Sequence, residues 1–263
     1  MKKNLCIALA LSLGIGLANC SSDAKTASQE GVYSMVKASM TDGKTETTSS
    51  SSDGSFQYKI FTPSNYFYIA IAKDSTGGFG LGTYIKNGNN LEESNIYNTI
   101  GLDTVSTAKL EISNTEKGYV QLIPELVVRG VKYKLNEEYT QVKSTGSSDL
   151  DGVWKQTKNL VVTAKDTADK TYHEYKVYHA GHFMWATRYL VDTTKNEFKN
   201  AVGHGTFKLE KAALREQLEH SNMSGILGKY DIKIVFNGKD EYTQETTDPT
   251  NKSVGFKTYK RVK

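Results

Sequence analysis

The chain has little cysteine and little proline, with two and three of these residues in 263. Cys6 lies in an N-terminal segment predicted to be removed, so only Cys20 is left and no disulfide can form within the mature chain. Scarce proline, together with 22 glycines and many threonines, favours strands joined by tight turns. An exported protein without a disulfide depends on its core, which 16 tyrosines, nine phenylalanines and two tryptophans can supply.

The chain also lacks a strong charge of either sign. Its formal net charge is +4 at pH 7, and removal of Lys2 and Lys3 with the N-terminal segment lowers this by two. No basic field remains that would attract nucleic acid. We therefore predict that nucleic acid is not a partner.

Catalytic motifs are missing as well. The sequence has no nucleophile-elbow pattern, no Gly-rich phosphate loop and no His-Glu-x-x-His zinc motif. We predict a protein that is not an enzyme and that needs no cofactor. Three adjacent acidic pairs are interpreted as solvated charges on strands or turns rather than acid–base pairs: Glu92 and Glu93, Glu137 and Glu138, Asp240 and Glu241.

The N-terminal apolar run, residues 5–17, is too short to span a bilayer, which takes about 20 apolar residues. Two lysines precede it and Leu17-Ala18-Asn19-Cys20 follows it, as in a secretory signal. The segment resembles a bacterial lipoprotein signal peptide with a lipobox, although Asn19 replaces the usual Gly, Ala or Ser. The resemblance implies that residues 1–19 are removed and that Cys20 is acylated, with palmitate among its chains. The alternative is an ordinary signal peptide followed by a chance cysteine.

Residues 20–30 are small and polar without periodicity, which predicts a flexible tether. Several acyl chains on Cys20 would hold the protein on a lipid bilayer, its predicted partner. In lipoproteins of this type, a serine such as Ser21 after the cysteine accompanies sorting to the outer membrane. The resemblance thus implies an outer-membrane lipoprotein, on the periplasmic face or at the cell surface.

The chain carries an internal repeat. Four sequence blocks recur in the same order, which predicts two homologous domains, residues 31–143 and 149–263, joined by a small polar linker at 144–148. The blocks pair 31–33 with 152–154, 58–68 with 175–185, 80–84 with 203–207, and 139–142 with 259–262.

Within each copy the pattern predicts short strands. Residues 231–236 alternate apolar and polar side chains, and Asn-Gly pairs at 87–88 and 237–238 are typical of hairpins. Residues 210–219 have a helix-forming composition. They align with residues 91–98, which do not, so we predict that both segments are extended.

Three features of the second copy resemble lipocalins. They are Gly152-x-Trp154 at the first strand, Thr247-Asp248-Pro249 before the last main strand, and Arg261 near the end. In lipocalins the arginine stacks on the opening tryptophan and closes one end of the barrel, a contact of about 0.5–2 kcal/mol. Residues 176–178, 182–185 and 203–207 are similar to lipocalin-like lipoprotein domains of Bacteroidota.

The first copy departs from this pattern, with Tyr33 and Gln141 in place of the tryptophan and the arginine and no Thr-Asp motif. Its assignment depends on the repeat. The resemblance implies an all-β fold of two tandem antiparallel up-and-down β-barrels of lipocalin-like type.

Aromatic residues of the repeated block are the candidates for a ligand pocket. A barrel of about eight strands holds either a packed interior or one small ligand. Tyr66 and Tyr68, with their partners Phe183 and Trp185, share one strand face and would line such a pocket. The alternative is ordinary core, the commoner role for aromatic residues on strands.

All five histidines lie in the second copy, and the first copy lacks their counterparts. His179, His182 and His204 would converge if their strands were adjacent, which makes haem or metal binding a minor alternative. No cysteine joins them, and no metal site is predicted. The predicted function is therefore non-enzymatic binding of a small apolar or amphipathic ligand. The main alternative is a structural or interaction lipoprotein of the cell envelope with filled barrels.

Overall fold

The computed structural model describes residues 28–263 apart from 100, 101, 129, 193, 195, 196 and 248–251. The predicted signal peptide, Cys20 and most of the tether lie outside the described residues, as do Asp248 and Pro249 of the Thr-Asp motif. The chain divides into two compact units between Lys143 and Ser144. Within the described residues, no helix has the length and apolar character of a membrane span.

The first unit is a closed antiparallel barrel. Strands β1 and β9 pair and close the sheet, while β2 and β3 lie along the same side of β1, so that eight strands form the wall. The strands are β1 (Gly31–Thr41), β2 (Glu46–Ser50), β3 (Phe56–Phe61), β4 (Asn65–Ile71), β5 (Gly77–Asn87), β6 (Asn90–Asn98), β7 (Leu102–Asn114), β8 (Gly118–Val128) and β9 (Val131–Gln141).

The second unit repeats this topology, with β10 and β18 closing the barrel. The predicted fold, two tandem antiparallel up-and-down barrels, is thus confirmed. The strands are β10 (Gly152–Val162), β11 (Thr167–Asp169), β12 (His173–His179), β13 (His182–Asp192), β14 (Glu197–Glu210), β15 (Ala213–Ser221), β16 (Gly228–Phe236), β17 (Glu241–Thr247) and β18 (Val254–Arg261).

The two barrels also share their irregularities. The pairing of β1 with β9 shifts between Met35 and Lys37, and that of β10 with β18 shifts between Gln156 and Lys158. A second bulge falls between β5 and β6 in one barrel and between β14 and β15 in the other. Because these pairings and bulges coincide, many strand residues of one barrel have an equivalent in the other, meaning the residue with the same pairing partners.

The recurring Gly-x-Gly has a packing reason. Gly80 pairs with Tyr68, and a Cβ on Gly80 would lie 2.5 Å from the Tyr68 ring. Gly203 pairs with Trp185, and a Cβ there would overlap the indole. Each glycine thus leaves room for an aromatic side chain of the neighbouring strand.

The segment with helical composition is extended, as the repeat predicted. Residues 210–219 form the end of β14, a turn and most of β15, because pairing with the neighbouring strands outweighs local propensity. Both Asn-Gly pairs lie at hairpin turns, where Gly88 and Gly238 have φ of +59° and +83°. These conformations cost glycine little.

Candidate ligand-binding site in the second barrel

A lysine lies inside each barrel. Lys59 and Lys176 occupy the second position of the repeated Tyr-Lys block, and the two-residue period of a strand turns them inward. Lys59 is 2% exposed and Lys176 is 6% exposed. A buried ammonium group needs a charged or hydrogen-bonding partner, so each lysine requires polar neighbours inside its barrel.

In the first barrel, the partner is a glutamate on β6. Lys59 Nζ lies 2.5 Å from Glu93 Oε1 and donates a hydrogen bond to Gln121 Oε1 at 3.1 Å. Gln121 in turn donates to Glu137 Oε2 at 2.6 Å. These four residues, called here the first polar cluster, are all buried.

Glu137 is the second carboxylate of the first polar cluster. It accepts hydrogen bonds from Gln57 Nε2 at 3.0 Å and from the Tyr139 hydroxyl at 3.1 Å. Burial raises the pKa of the Glu137 carboxyl, and the nearby Lys59 charge only partly opposes this. Two carboxylates thus share one ammonium group.

The second barrel repeats the arrangement. Lys176 Nζ lies 2.8 Å from Glu216 Oε1 and 3.5 Å from Gln244 Oε1. Tyr178 donates a hydrogen bond to the same Glu216 oxygen at 2.6 Å. Glu216 is equivalent to Glu93 and Gln244 to Gln121, so the duplicated sequence places the same polar groups in each interior.

Lys176, Tyr178, Glu216 and Gln244 form the second polar cluster. A further ion pair joins it. Lys257 Nζ lies 3.1 Å from Glu174 Oε2, and Tyr259 donates a hydrogen bond to Glu174 Oε1. Burial alone raises the pKa of Glu174. The charges of Lys257 and Lys176 and the Tyr259 hydrogen bond outweigh burial, so the pKa lies below its usual value.

The second polar cluster borders a cavity of about 290 Å³. Aromatic and aliphatic side chains form its apolar wall, and the charged groups converge on one side of it. The apolar wall consists of Phe183, Trp185, Leu218, Ile226, Tyr230 and Ile232, and the polar side of Glu174, Lys176, Glu216, Gln244, Thr246 and Lys257.

Among the described residues of the first barrel, the region that corresponds to this cavity holds far less space. The void beside its polar cluster measures about 20 Å³, room for about one water molecule. Two substitutions between equivalent positions reduce side-chain volume in this region of the second barrel. Leu135 is fully buried in the first barrel, whereas Gly255 stands at this position in the second, and Ile123 is replaced by Thr246.

A wider depression of about 720 Å³ lies elsewhere on the second barrel. Most of its lining is polar or charged, including Lys208, Arg215 and Asp231. Ligand pockets are mainly apolar with a few convergent polar groups. The 290 Å³ cavity fits that description, so we place the candidate site there.

The four aromatic candidates separate by barrel. Phe183 and Trp185 line the 290 Å³ cavity. Tyr68 borders the 20 Å³ void of the first barrel. Tyr66 is fully buried in the core, and its hydroxyl donates to Asn95 Oδ1 at 2.6 Å. The geometry therefore supports a pocket wall in the second copy and core packing in the first.

The structure brings Trp154 and Arg261 together. The guanidinium carbon lies 4.1 Å from the indole ring, and Arg261 also donates to the backbone carbonyl of Asp149 at 3.0 Å. Trp154 is fully buried and donates to the carbonyl of Leu150 at 2.7 Å. This contact joins the first and last strands of the second barrel.

The predicted histidine trio does not converge as a set. His179 lies with Nδ1 3.9 Å from Asp151 Oδ2, at the β12–β13 turn. The His182 and His204 rings stack with centroids 5.7 Å apart. Burial, with smaller effects of His182 and His220, lowers the pKa of His204 well below its usual value.

The sequence interpretation of the acidic pairs is wrong for Glu93 and Glu137. Both side chains are buried, at 5% and 4% exposure, while Glu92 and Glu138 beside them are exposed. The cause is the two-residue strand period, which sends adjacent side chains to opposite faces. One member of each pair therefore enters the barrel.

Sequence reasoning also missed the lysines of the two polar clusters. The signal was a lysine at the same position of an apolar strand in both copies, Lys59 and Lys176. A charge repeated inside an apolar block indicates a buried, paired group rather than a solvated one.

Comparison of the chain with protein-family models and with curated proteins found no match.

Proposed function

We propose that the protein is a non-enzymatic lipoprotein that binds one small amphipathic molecule in the second barrel. The observation that carries this proposal is the difference between the two interiors, about 290 Å³ against about 20 Å³. Both barrels have the same fold and a buried lysine–glutamate pair. Gly255 and Thr246 stand in the second barrel where the first has the larger Leu135 and Ile123.

The lining indicates the chemistry of the ligand. Removal of apolar ligand surface from water against Phe183, Trp185 and Ile232 would supply about 25 cal/mol per Å². The polar side carries two lysines and two glutamates, which balance in charge. A neutral or zwitterionic polar group suits such a surface better than a net charge. The volume lies near the lower limit of about 300 Å³ for ligand pockets, so the ligand is small.

Membrane attachment is the second part of the proposal. The lipobox-like segment before Cys20 supports acylation, and the resemblance to lipocalin-like lipoproteins of Bacteroidota supports the outer membrane. Cys20→Ala should move the protein from the membrane fraction to the soluble fraction of the producing cell. Unchanged membrane retention of this variant would contradict the anchor.

Tryptophan fluorescence tests ligand binding. The chain has two tryptophans, and Trp185 lines the cavity while Trp154 contacts Arg261. In a Trp154→Phe background, short-chain fatty alcohols, monoacylglycerols and a zwitterionic alkylphosphocholine should be titrated against the full-length protein, with short fatty acids as the charged comparison and with extraction of co-purified lipid. At least one ligand should change Trp185 emission at one-to-one stoichiometry.

The control variant fills the cavity. Gly255→Leu restores the residue type of the first barrel, and Thr246→Ala removes the hydroxyl that would lie 3.0 Å from the new Cβ. The double variant should remain folded and lose the response. If no ligand alters the emission and nothing co-purifies, or if the double variant binds equally well, ligand binding in this cavity is wrong.

The packed interior of the first barrel favours a second role for that barrel. Tyr33, Tyr119 and Tyr139 fill its centre with ring centroids 4.7–4.8 Å apart. With so little internal space, we propose that the first barrel acts as a structural or interaction module of the cell envelope. Loss of ligand response in Leu135→Ala, with Gly255 unchanged, would argue against this division of roles.

A further inference from the structure

A β-bulge on the outer face of the second barrel brings three metal-ligating side chains together. Between β14 and β15, Gly205 pairs with Leu218 and His204 pairs with His220, so Glu219 is the extra residue of the bulge. A bulge re-aims the side chains of its strand. Glu219 and His220, although adjacent in sequence, therefore approach His204 from the same strand.

The convergence is close enough for a shared ion. One ligand atom from each of His204, Glu219 and His220 lies within 4.8 Å of the other two. The rings of His204 and His220 have centroids 5.8 Å apart. Thr206 donates a hydrogen bond to Glu219 Oε1 at 3.4 Å, and such an outer partner orients a ligating carboxylate.

The first barrel provides an internal comparison. It has the same bulge, with Leu81 paired to Tyr97 and Ile96 as the extra residue. None of these three side chains binds a metal well. At one bulge, the second barrel therefore has two imidazoles and a carboxylate where the first barrel has three side chains that are poor zinc ligands.

We propose that His204, Glu219 and His220 form a site for a divalent transition metal ion, with Zn²⁺ as the best fit. Imidazole and carboxylate ligands suit Zn²⁺, which binds them at about 2.0–2.2 Å. Glu219 is exposed, so its side chain can reorient towards the two imidazoles. Three protein ligands leave a coordination position for water or for a group on a binding partner.

The test uses Zn²⁺ itself and the full-length protein without a polyhistidine tag. Isothermal titration should show one Zn²⁺ per chain, and Co²⁺ should give the visible absorption of a site with nitrogen and oxygen ligands. Glu219→Gln keeps the shape of an exposed side chain and should weaken Zn²⁺ binding at least tenfold, as loss of a ligand or its partner does.

Three further variants complete the test if Glu219→Gln fails to fold. His220→Ala should abolish binding, whereas His173→Ala, at the exposed start of β12, should leave it unchanged. The triple variant His204→Leu, Glu219→Ile and His220→Tyr installs the residues of the first barrel. It should also abolish Zn²⁺ binding. Absent Zn²⁺ binding in the wild type, or equal affinity in Glu219→Gln and wild type, overturns the proposal.

Discussion

Glu137 and Lys257 occupy equivalent positions in the two barrels with opposite charges, Glu137 pairing with Ala38 and Lys257 with Asn159. The first polar cluster therefore holds two carboxylates and one lysine. The second holds two of each, because Glu174 also stands where the first barrel has Gln57. The second lysine helps to explain why the pKa of the two buried glutamates shifts in opposite directions, although burial raises both. The pKa of Glu137 is raised, while Lys257 helps to hold the pKa of Glu174 down.

Glu137→Gln tests the raised pKa. A carboxyl with a raised pKa contributes stability that is present below its usual pKa of 4.5 and lost as the pH rises through the folded value. Glutamine cannot ionise. The free energy of unfolding of Glu137→Gln, relative to wild type, should therefore increase from pH 4 to pH 7. Urea unfolding at both values measures it, and a relative stability that falls with pH would contradict the assignment.

Glu174→Gln should behave in the opposite way. Its lowered pKa gives stability that is present above the usual value of 4.5 and lost as the pH falls through the folded value. At pH 7 the variant should lose about 1–3 kcal/mol, since Lys257 and Tyr259 lose an ionised acceptor. The loss should shrink as the pH approaches 3. A loss that is constant with pH would show that the charge of Glu174 is not involved.

The buried lysines differ in what their removal leaves behind. Lys59→Met leaves Glu93 and Glu137 without a cation in a packed interior, so a cost of about 3–5 kcal/mol is expected. Lys176→Met leaves Lys257 close to Glu174 beside a cavity, and the cost should be smaller. Denaturant unfolding of the two variants compares them directly. Equal losses of unfolding free energy would mean that the cavity and Lys257 do not reduce the cost of removing Lys176.

The fold could be predicted from the sequence because it depends on patterns that extend over many residues. Two copies of the same blocks in the same order predict two similar domains, and period-two alternation predicts strands. The repeat also assigned the first copy, which lacks the motifs found in the second. Residues 210–219 show the strength of this reasoning, since their composition favours helix and their aligned segment gave the correct strand.

The site was harder to predict because it depends on closure of the barrel. Gly255 opens space only when β17 and β18 place it opposite Thr246, and neither residue carries a chemical signature. The role of Glu219 could not be predicted from the sequence for a related reason. Its approach to His204 depends on a one-residue bulge, which a linear pattern does not locate.

The contact between Trp154 and Arg261 gives the last prediction. Arg261→Gln installs the residue that the first barrel has at Gln141, and it removes both the stacking on the indole and the hydrogen bonds to backbone carbonyls. Stacking of this kind contributes about 0.5–2 kcal/mol and each hydrogen bond to a charged group about 1.5–3 kcal/mol. A total loss of at least about 2 kcal/mol is therefore expected.

The matched control for Arg261→Gln is Lys260→Gln, which removes the same charge from the adjacent residue. Lys260 is exposed and pairs with Glu241 at 3.5 Å on the surface, so its loss should cost under about 1 kcal/mol. Trp154 emission, read in a Trp185→Phe background, should shift for Arg261→Gln and stay constant for Lys260→Gln. If the two variants unfold at the same urea concentration, Arg261 contributes nothing to barrel closure beyond its charge. The position of the indole would then depend on the hydrogen bond that Trp154 donates to the Leu150 carbonyl.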